Sequence, residues 1–283
     1  MKRILVTGST GFVGRNILPL LEKEYIVESP NRKELDLRDK EKIIRCIKKG
    51  NYDVIIHAAI PNVSFNEKDR EESMIVNTLR PFDIMYELQD YYEKMIYFGS
   101  GAEYDKTKSI ILANEADIGV NIPATEYGFA KYIMNSLARK SENVYNLRIF
   151  GCYGKTDASF KLITYAIQCC LFDKEIKLKQ DCYFDYMQVM DIFPVLKYFI
   201  GNTPQFHDYN ICTGRRIRIS EICKMVINMM GSRSQILIEK RGMNNEYSGD
   251  NTRLLNEIKE FQFMTLEEGI KQQIEYERER LYI

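Results

Sequence analysis

Tyr127-Gly-Phe-Ala-Lys131 sets a phenol and an ammonium four residues apart. At the start of a helix that spacing lays both side chains on one face, one turn apart. A free phenol titrates near ~10, so it is a poor proton donor or acceptor at neutral pH unless a neighbouring cation stabilises the phenolate. Lys131 can supply that charge, which makes the pair a candidate general acid/base. Surface helices carry the same pair with no chemistry attached, so its meaning depends on what the chain places beside it.

A second stretch bears on that question. Gly8, Gly11 and Gly14 follow directly on Ile4-Leu5-Val6, an apolar run without alternation that reads as a buried parallel strand. Gly8 allows a sharp turn, Gly11 lets backbone approach a phosphate, and Gly14 lets the following helix pack on the strand. The helix from about Phe12 then points unpaired N–H groups and its positive dipole end into the turn, which suits a pyrophosphate. Gly8, Thr10, Gly11, Phe12, Val13 and Gly14 are therefore candidate residues for binding a dinucleotide. Ordinary turns also carry three glycines so spaced; it is the position between a strand and a helix that favours the cofactor.

The other elements must bring these stretches together. Arg15 to Glu24 reads as a helix with Ile17, Leu18, Leu20 and Leu21 inward, which Pro19 is expected to kink or shorten. Tyr25 to Glu28 reads as a strand, Asp39 to Lys49 as a helix closed by Gly50-Asn51, and Asp53 to Ile56 as a third strand. A long helix over 67–92, strand Met95 to Phe98, helix Glu126 to Arg139 and strand Val144 to Ile149 follow. Strands and helices alternating at this spacing require crossovers between parallel strands, hence an α/β, Rossmann-like doubly wound sheet. Beyond Gly151 the pattern loosens: helices over 160–172, 191–200 and 220–230, strands over 175–178 and 209–211, and a last helix whose start at Thr265-Leu-Glu-Glu268 has capping-box form. The expected division is a cofactor domain over 1–154, with returning segments near 185–212, and a smaller α/β substrate-binding lobe over 155–283.

Composition limits the alternatives. With 45% hydrophobic and 28% charged residues the chain has the make-up of a globular protein, and 40 basic residues against 40 acidic ones give no global field for nucleic acid or membrane. Seven cysteines without a Cys-x-x-Cys pair, and only His57 and His207 as histidines, suggest neither a zinc site nor a disulfide framework, as expected in a reducing cytoplasm. The N-terminal apolar run is too short for a signal peptide or membrane span.

The Gly-x-x-Gly-x-x-Gly turn and the Tyr-x-x-x-Lys pair together resemble the extended short-chain dehydrogenases/reductases, the branch of NAD(P)-dependent nucleotide-sugar epimerases, dehydratases and reductases. The likeness extends through most of the chain: His57-Ala-Ala59 resembles the family's small-residue turn beside the cofactor, Asn77 its structural asparagine, and Asn146 to Gly154 the motif that closes over the nicotinamide. Asp185 to Asp191 and Tyr209 to Gly214 resemble segments of the substrate lobe. The resemblance implies that Tyr127 is the general acid/base, that Lys131 lowers its pKa and holds the nicotinamide ribose, and that Ser100 is the third catalytic residue, with Gly101 beside the substrate. A hydroxyl at the carboxyl end of a parallel strand can indeed reach a sugar oxygen in the ligand crevice, although a serine between glycines is also an ordinary turn former. Ala58, Ala59 and Asn77 would line the cofactor, and Asp36 and Leu37 would border its adenine. His57 and Cys152 read better as packed side chains than as catalysts.

Arg32, with Asn31, falls about where NAD-preferring sites carry an acid, and can pair with a 2′-phosphate, so NADP (NADPH) is expected, with NAD as the alternative if Glu28 takes the acid's place. The short link from there into Glu34-Leu-Asp-Leu resembles nucleotide-sugar 4-keto reductases of the GDP-fucose synthetase and dTDP-dehydrorhamnose reductase type. Departures narrow this further. Gly101 and Ala102 stand where 4,6-dehydratases carry Asp-Glu, and Ala102 where GDP-fucose synthetases carry an epimerising cysteine. Phe184 stands where extended enzymes commonly have a diphosphate-binding arginine, which makes Arg241 the candidate cation and Arg215 a weaker one. The expected activity is reduction of a 4-keto nucleotide sugar, with 4-epimerisation as the alternative; a non-catalytic cofactor sensor would not need Ser100, Tyr127 and Lys131 together. A homodimer through 67–92 and 126–140 is implied by the same resemblance.

Overall fold

The computed structural model describes residues 1–60 and 73–281. The chain begins with β1 (Arg3–Thr7), α1 (Phe12–Glu24), β2 (Ile26–Glu28), α2 (Lys40–Gly50) and β3 (Val54–His57). It continues with α3 (Met74–Tyr86), β4 (Lys94–Ser100), β5 (Ile110–Ala113), α4 (Glu126–Ala138), β6 (Val144–Ile149), β7 (Gly151–Tyr153) and α5 (Leu162–Leu171). Next come β8 (Ile176–Asp181), β9 (Tyr183–Phe184), β10 (Tyr186–Gln188), α6 (Ile192–Gly201), β11 (Asp208–Ile211), β12 (Ile217–Arg218) and α7 (Ile219–Met230). The last elements are β13 (Ile236–Met243), β14 (Tyr247–Gly249), α8 (Thr252–Glu257) and α9 (Leu266–Leu281).

Among the described residues six strands form the main sheet, in the order β11-β6-β4-β3-β1-β2, every pair parallel. Its inner strands are apolar because both faces are covered. Ile17 and Leu21 of α1 pack with Val195, Leu196 and Phe199 of α6 on one face. On the other, Ile43 and Ile47 of α2 pack with Phe82 and Met85 of α3 and Met134 of α4. This is a doubly wound, Rossmann-type sheet. The chain runs outward to β2 on one side of β1 and to β3 on the other, so the crevice at this switch point opens at the carboxyl ends of β1 and β3.

Three expectations need adjustment. The helix over 67–92 is resolved into α3 and a separate 3-10 turn, Gln89–Tyr91; Ser73 caps α3 by accepting from the Val76 N–H at 3.2 Å, and 67–72 lie outside the described residues. Pro19 does not shorten α1, which continues to Glu24; Pro19 is exposed, so water can take the carbonyl that it leaves without a donor. Several short strands went unforeseen, and β13 did too, because seven of its eight residues are exposed and it has no apolar alternation.

The rest of the chain is not strung out as a separate piece. A second sheet runs β12-β9-β14-β5, so β5, from the first half of the chain, is completed by β14 from the end. Ile163 and Ile167 of α5, Ile222 and Val226 of α7 and Ile270 and Ile274 of α9 make the lobe's own core. The Thr265 capping box is present: the Thr265 hydroxyl donates to Glu268 at 2.6 Å and accepts from its N–H at 3.3 Å.

Candidate active site

The glycine turn is shaped by contacts that side chains would destroy. Gly8 has φ +78°, and a Cβ on it would lie 2.4 Å from the Ala59 nitrogen. The turn after β1 is thus pressed onto the one after β3, where the Ala58 N–H donates to the Thr7 carbonyl at 3.0 Å. A Cβ on Gly14 would meet the Gly8 carbonyl oxygen at 2.2 Å, so α1 sits directly on the turn. Gly11 is different: its nearest such neighbour is 3.3 Å away, and it and Thr10 are exposed. Gly11 caps α1 without any side-chain bond, which leaves the first-turn N–H groups available to an anion. Phe12 and Val13 pack half-buried on the core behind. These residues fit a dinucleotide pyrophosphate.

Beyond β2 the chain makes a tight loop. The Asn31 side-chain oxygen accepts from the Lys33 N–H at 2.8 Å and the Asn31 N–H donates to Glu34 at 2.8 Å, so Asn31 is occupied in building the turn. Arg32 is exposed and forms no ion pair within 4 Å among the described residues. Asp36 is paired with Arg38 at 2.7 Å, whose hydrogen bonds hold the carboxyl down to about 2. Leu37 is half-buried against the core under α2. Asn77, on α3, donates to the Ser73 carbonyl at 3.2 Å. His57 is buried against the Thr7 hydroxyl at 2.8 Å, and burial pushes its imidazole down to about 3, so it is a neutral packed side chain.

The structure brings Ser100, Tyr127 and Lys131 together. Ser100 ends β4, and Tyr127 and Lys131 lie on α4, which Thr125 starts by accepting from the Gly128 N–H at 3.2 Å. Gly128 lets the helix reach this turn, since a Cβ there would come within 2.6 Å of the Ala102 carbonyl oxygen. The phenol of Tyr127 is within hydrogen-bonding reach of Ser100; burial pushes it up to about 12, and the serine hydroxyl opposes that shift. Lys131 is buried, its ammonium donating to the Phe98 carbonyl at 2.8 Å and standing 5.9 Å from the Tyr127 ring centre. Burial brings this lysine down to about 8. In this geometry the group that tempers Tyr127 is Ser100, and the Lys131 charge is aimed at the strand.

Two residues absent from the sequence-based set complete the centre. Tyr247 of β14 comes close to Ser100, whose hydroxyl opposes the rise that burial imposes on its phenol. A Cβ on Gly101 would strike its hydroxyl at 2.5 Å. An acidic side chain at 101, the dehydratase arrangement, therefore has no room while Tyr247 stands here. Glu103 lies behind: its carboxylate accepts from the Ser100 N–H at 3.0 Å and the Arg148 Nε at 2.7 Å, and both Glu103 and Arg148 are fully buried. Arg148 also donates to Asp208 at 2.8 Å and Asn210 at 3.0 Å. Glu103 is thus a structural anchor, its carboxylate taken up by the Ser100 N–H, the Asn146 amide and Arg148. The spacing Ser100-x-x-Glu103 is a capping-box signature that the sequence displays; nothing local marks Tyr247.

Arg241 is not drawn into this cluster. It sits exposed in an irregularity of β13, between the Lys240–Gln180 and Met243–Asp181 pairs with β8. Its carbonyl accepts from the Gln180 side chain at 3.2 Å. Arg215 is exposed beside the turn that Asp185 holds through the Thr213 and Gly214 N–H groups, at 2.9 and 2.8 Å. Cys152 keeps its thiol protonated, burial raising it well above the usual range.

Residues 4–212 match the model of the NAD dependent epimerase/dehydratase family. The chain is 27% identical over 301 aligned positions to GDP-L-colitose synthase of Yersinia pseudotuberculosis, covering 97% of each chain. Its fold superposes on the GDP-L-fucose synthetase of Naegleria fowleri bound to NADP with a TM-score of 0.86 at 15% identity, covering 99% of this chain and 94% of that one. It superposes on the UDP-glucose 4-epimerase of Thermotoga maritima with a TM-score of 0.81 at 22% identity, covering 99% of both.

Proposed function

Because the chain belongs to the NAD dependent epimerase/dehydratase family, we propose that it is an NADP-dependent oxidoreductase reducing the 4-keto group of a nucleotide-activated deoxysugar. The observation that carries this reading is the convergence of Ser100, Tyr127 and Lys131 at the carboxyl end of β4, on the same edge of the sheet as the glycine turn and with only β3 between the two strands. Gly8, Thr10, Gly11 and Gly14 would hold the cofactor pyrophosphate, Ala58, Ala59 and Asn77 its neighbouring parts, Asp36 and Leu37 the adenine side, and Arg32 the 2′-phosphate. When bound, the nicotinamide supplies the hydride that reduces the carbonyl carbon.

The chain's own residues handle the proton and the position. Tyr127, protonated throughout the neutral range, donates to the carbonyl oxygen as negative charge develops on it. Ser100 orients that oxygen and steadies the phenolate left behind. Lys131 adds positive charge in a buried setting, where it acts at short range with little screening. Gly101 and Ala102 offer no acid or thiol for elimination or epimerisation at neighbouring carbons. GDP is the first nucleotide to try, since the relative of 27% identity and the NADP-bound neighbour are both named for GDP-sugars.

The test is to denature the purified protein, identify any released nucleotide by mass spectrometry, and assay the enzyme with NADPH and a GDP-linked 4-keto-6-deoxyhexose. Oxidation of NADPH with formation of the 4-hydroxy sugar is expected. Stoichiometric NAD retained through purification, with no net reduction, would overturn the reading in favour of a 4-epimerase.

A further inference from the structure

Tyr247 has a second face. Away from Ser100 its ring floors a cleft of about 200 Å³ together with Phe184, the ring centres 4.9 Å apart. Pockets that take a whole small ligand run to roughly 300–1,000 Å³, so this one suits a single group of a larger molecule.

The charges on its walls select the group. Glu246 is cancelled, gripped by Arg216 through two bonds of 2.6 Å and by the Ser248 hydroxyl at 2.6 Å. Cys182 is a neutral thiol, pushed up to about 11 by burial. Asn244 accepts the Asn245 N–H at 2.9 Å through its side-chain oxygen, which leaves its NH₂ group as a donor. Lys106 remains. Its ammonium stands 4.3 Å over the Tyr247 ring, and among the described residues no carboxylate pairs with it. Its side chain is exposed, yet desolvation around the ammonium, and then the like charge of Lys161, holds it below the usual lysine range. The cleft therefore presents a net positive charge over an aromatic floor, a setting that suits an anion.

Its position supplies the rest. Tyr247 touches the reacting centre with its hydroxyl and the cleft with its ring, so the two sites are one aromatic ring apart. In an activated sugar, the phosphate lies one sugar ring from the carbonyl at C4. We propose that this cleft is the phosphate subsite of the substrate and that Lys106 is the cation that binds it. The proposal rests on the nucleotide-sugar reading above. It assigns the phosphate to a residue on the loop after the Ser100 turn, in place of Arg241 on β13.

Calorimetric titration of GDP and UDP into wild type, Lys106→Ala, Lys106→Arg and Arg241→Ala, each with cofactor present, tests it. Lys106→Ala is expected to weaken binding of the better nucleotide by about tenfold or more, and Lys106→Arg to restore most of it. In turnover the same loss is expected in KM, with kcat within about twofold of wild type. NADPH affinity, read from its fluorescence, should stay unchanged in Lys106→Ala and so report intact folding. Binding by Lys106→Ala within about twofold of wild type, or a larger loss in Arg241→Ala, overturns the assignment while leaving the nucleotide-sugar reading in place. Wild type that binds neither GDP nor UDP, nor dTDP or ADP titrated in the same way, overturns both.

Discussion

Tyr127 is tuned by two neighbours and by its burial, each acting differently. Ser100 stabilises its phenolate, Glu103 opposes it from behind the strand, and burial favours the protonated acid. Tyr127→Phe should therefore keep NADPH affinity and lose about 100-fold or more in kcat, since general acid catalysis contributes that much; full turnover in steady-state assays would remove Tyr127 from the mechanism. Lys131 sets an alkaline limit. Brought down to about 8 by burial, it is a cation below that pH and is lost as a cation above it, so kcat/KM for the cofactor, which reports the free enzyme, should fall as pH rises through about 8. A profile flat to pH ~10, the ordinary lysine range, would show that its charge is not needed. At Gly101 an added methyl would collide with the Tyr247 hydroxyl at 2.5 Å. Gly101→Ala should then cost up to about 100-fold in kcat/KM by misplacing Tyr247, with little change in melting temperature.

At the level of elements, the centre stands on a buried chain of charge. Arg148 on β6 joins Glu103, after β4, to Asp208 on β11, and Arg139 and Arg253 reach Asp208 at 2.8 and 3.0 Å from α4 and α8. Replacing Arg148 with Met leaves Glu103 fully buried without its ion-pair partner and should lower stability by about 3–5 kcal/mol in urea unfolding. A change under about 1 kcal/mol would mean that the network holds nothing together. This network was half legible. Ser100-x-x-Glu103 has capping-box spacing and Arg148 lies inside a motif read for its family likeness, but their pairing spans 45 residues and no local pattern encodes it. The main sheet was legible because strands covered on both faces are continuous apolar runs, as in Val54-Ile-Ile. The glycine turn and the Tyr127–Lys131 spacing were legible because each follows from local geometry. Tyr247 and Lys106 were not, because their meaning comes from β14 and a loop meeting across the chain.

For the whole molecule, no helix among the described residues is long and apolar enough to cross a membrane, and the outer faces of α3 and α4 include the exposed Val76. A homodimer through these helices remains our proposal, and light scattering on Val76→Glu, expected to show a monomer where wild type shows a dimer, checks it. The family match ends at residue 212, yet the fold has no seam there. β5, at 110–113, is bonded to β14, at 247–249, and Tyr247, Gly101 and Lys106 meet between them. Swapping specificity between relatives by exchanging everything after residue 212 would therefore separate a strand from its partner and a tyrosine from the glycine that makes room for it. The unit that can be transplanted is discontinuous: the stretch from Ser100 to Ala113 has to travel with the C-terminal part.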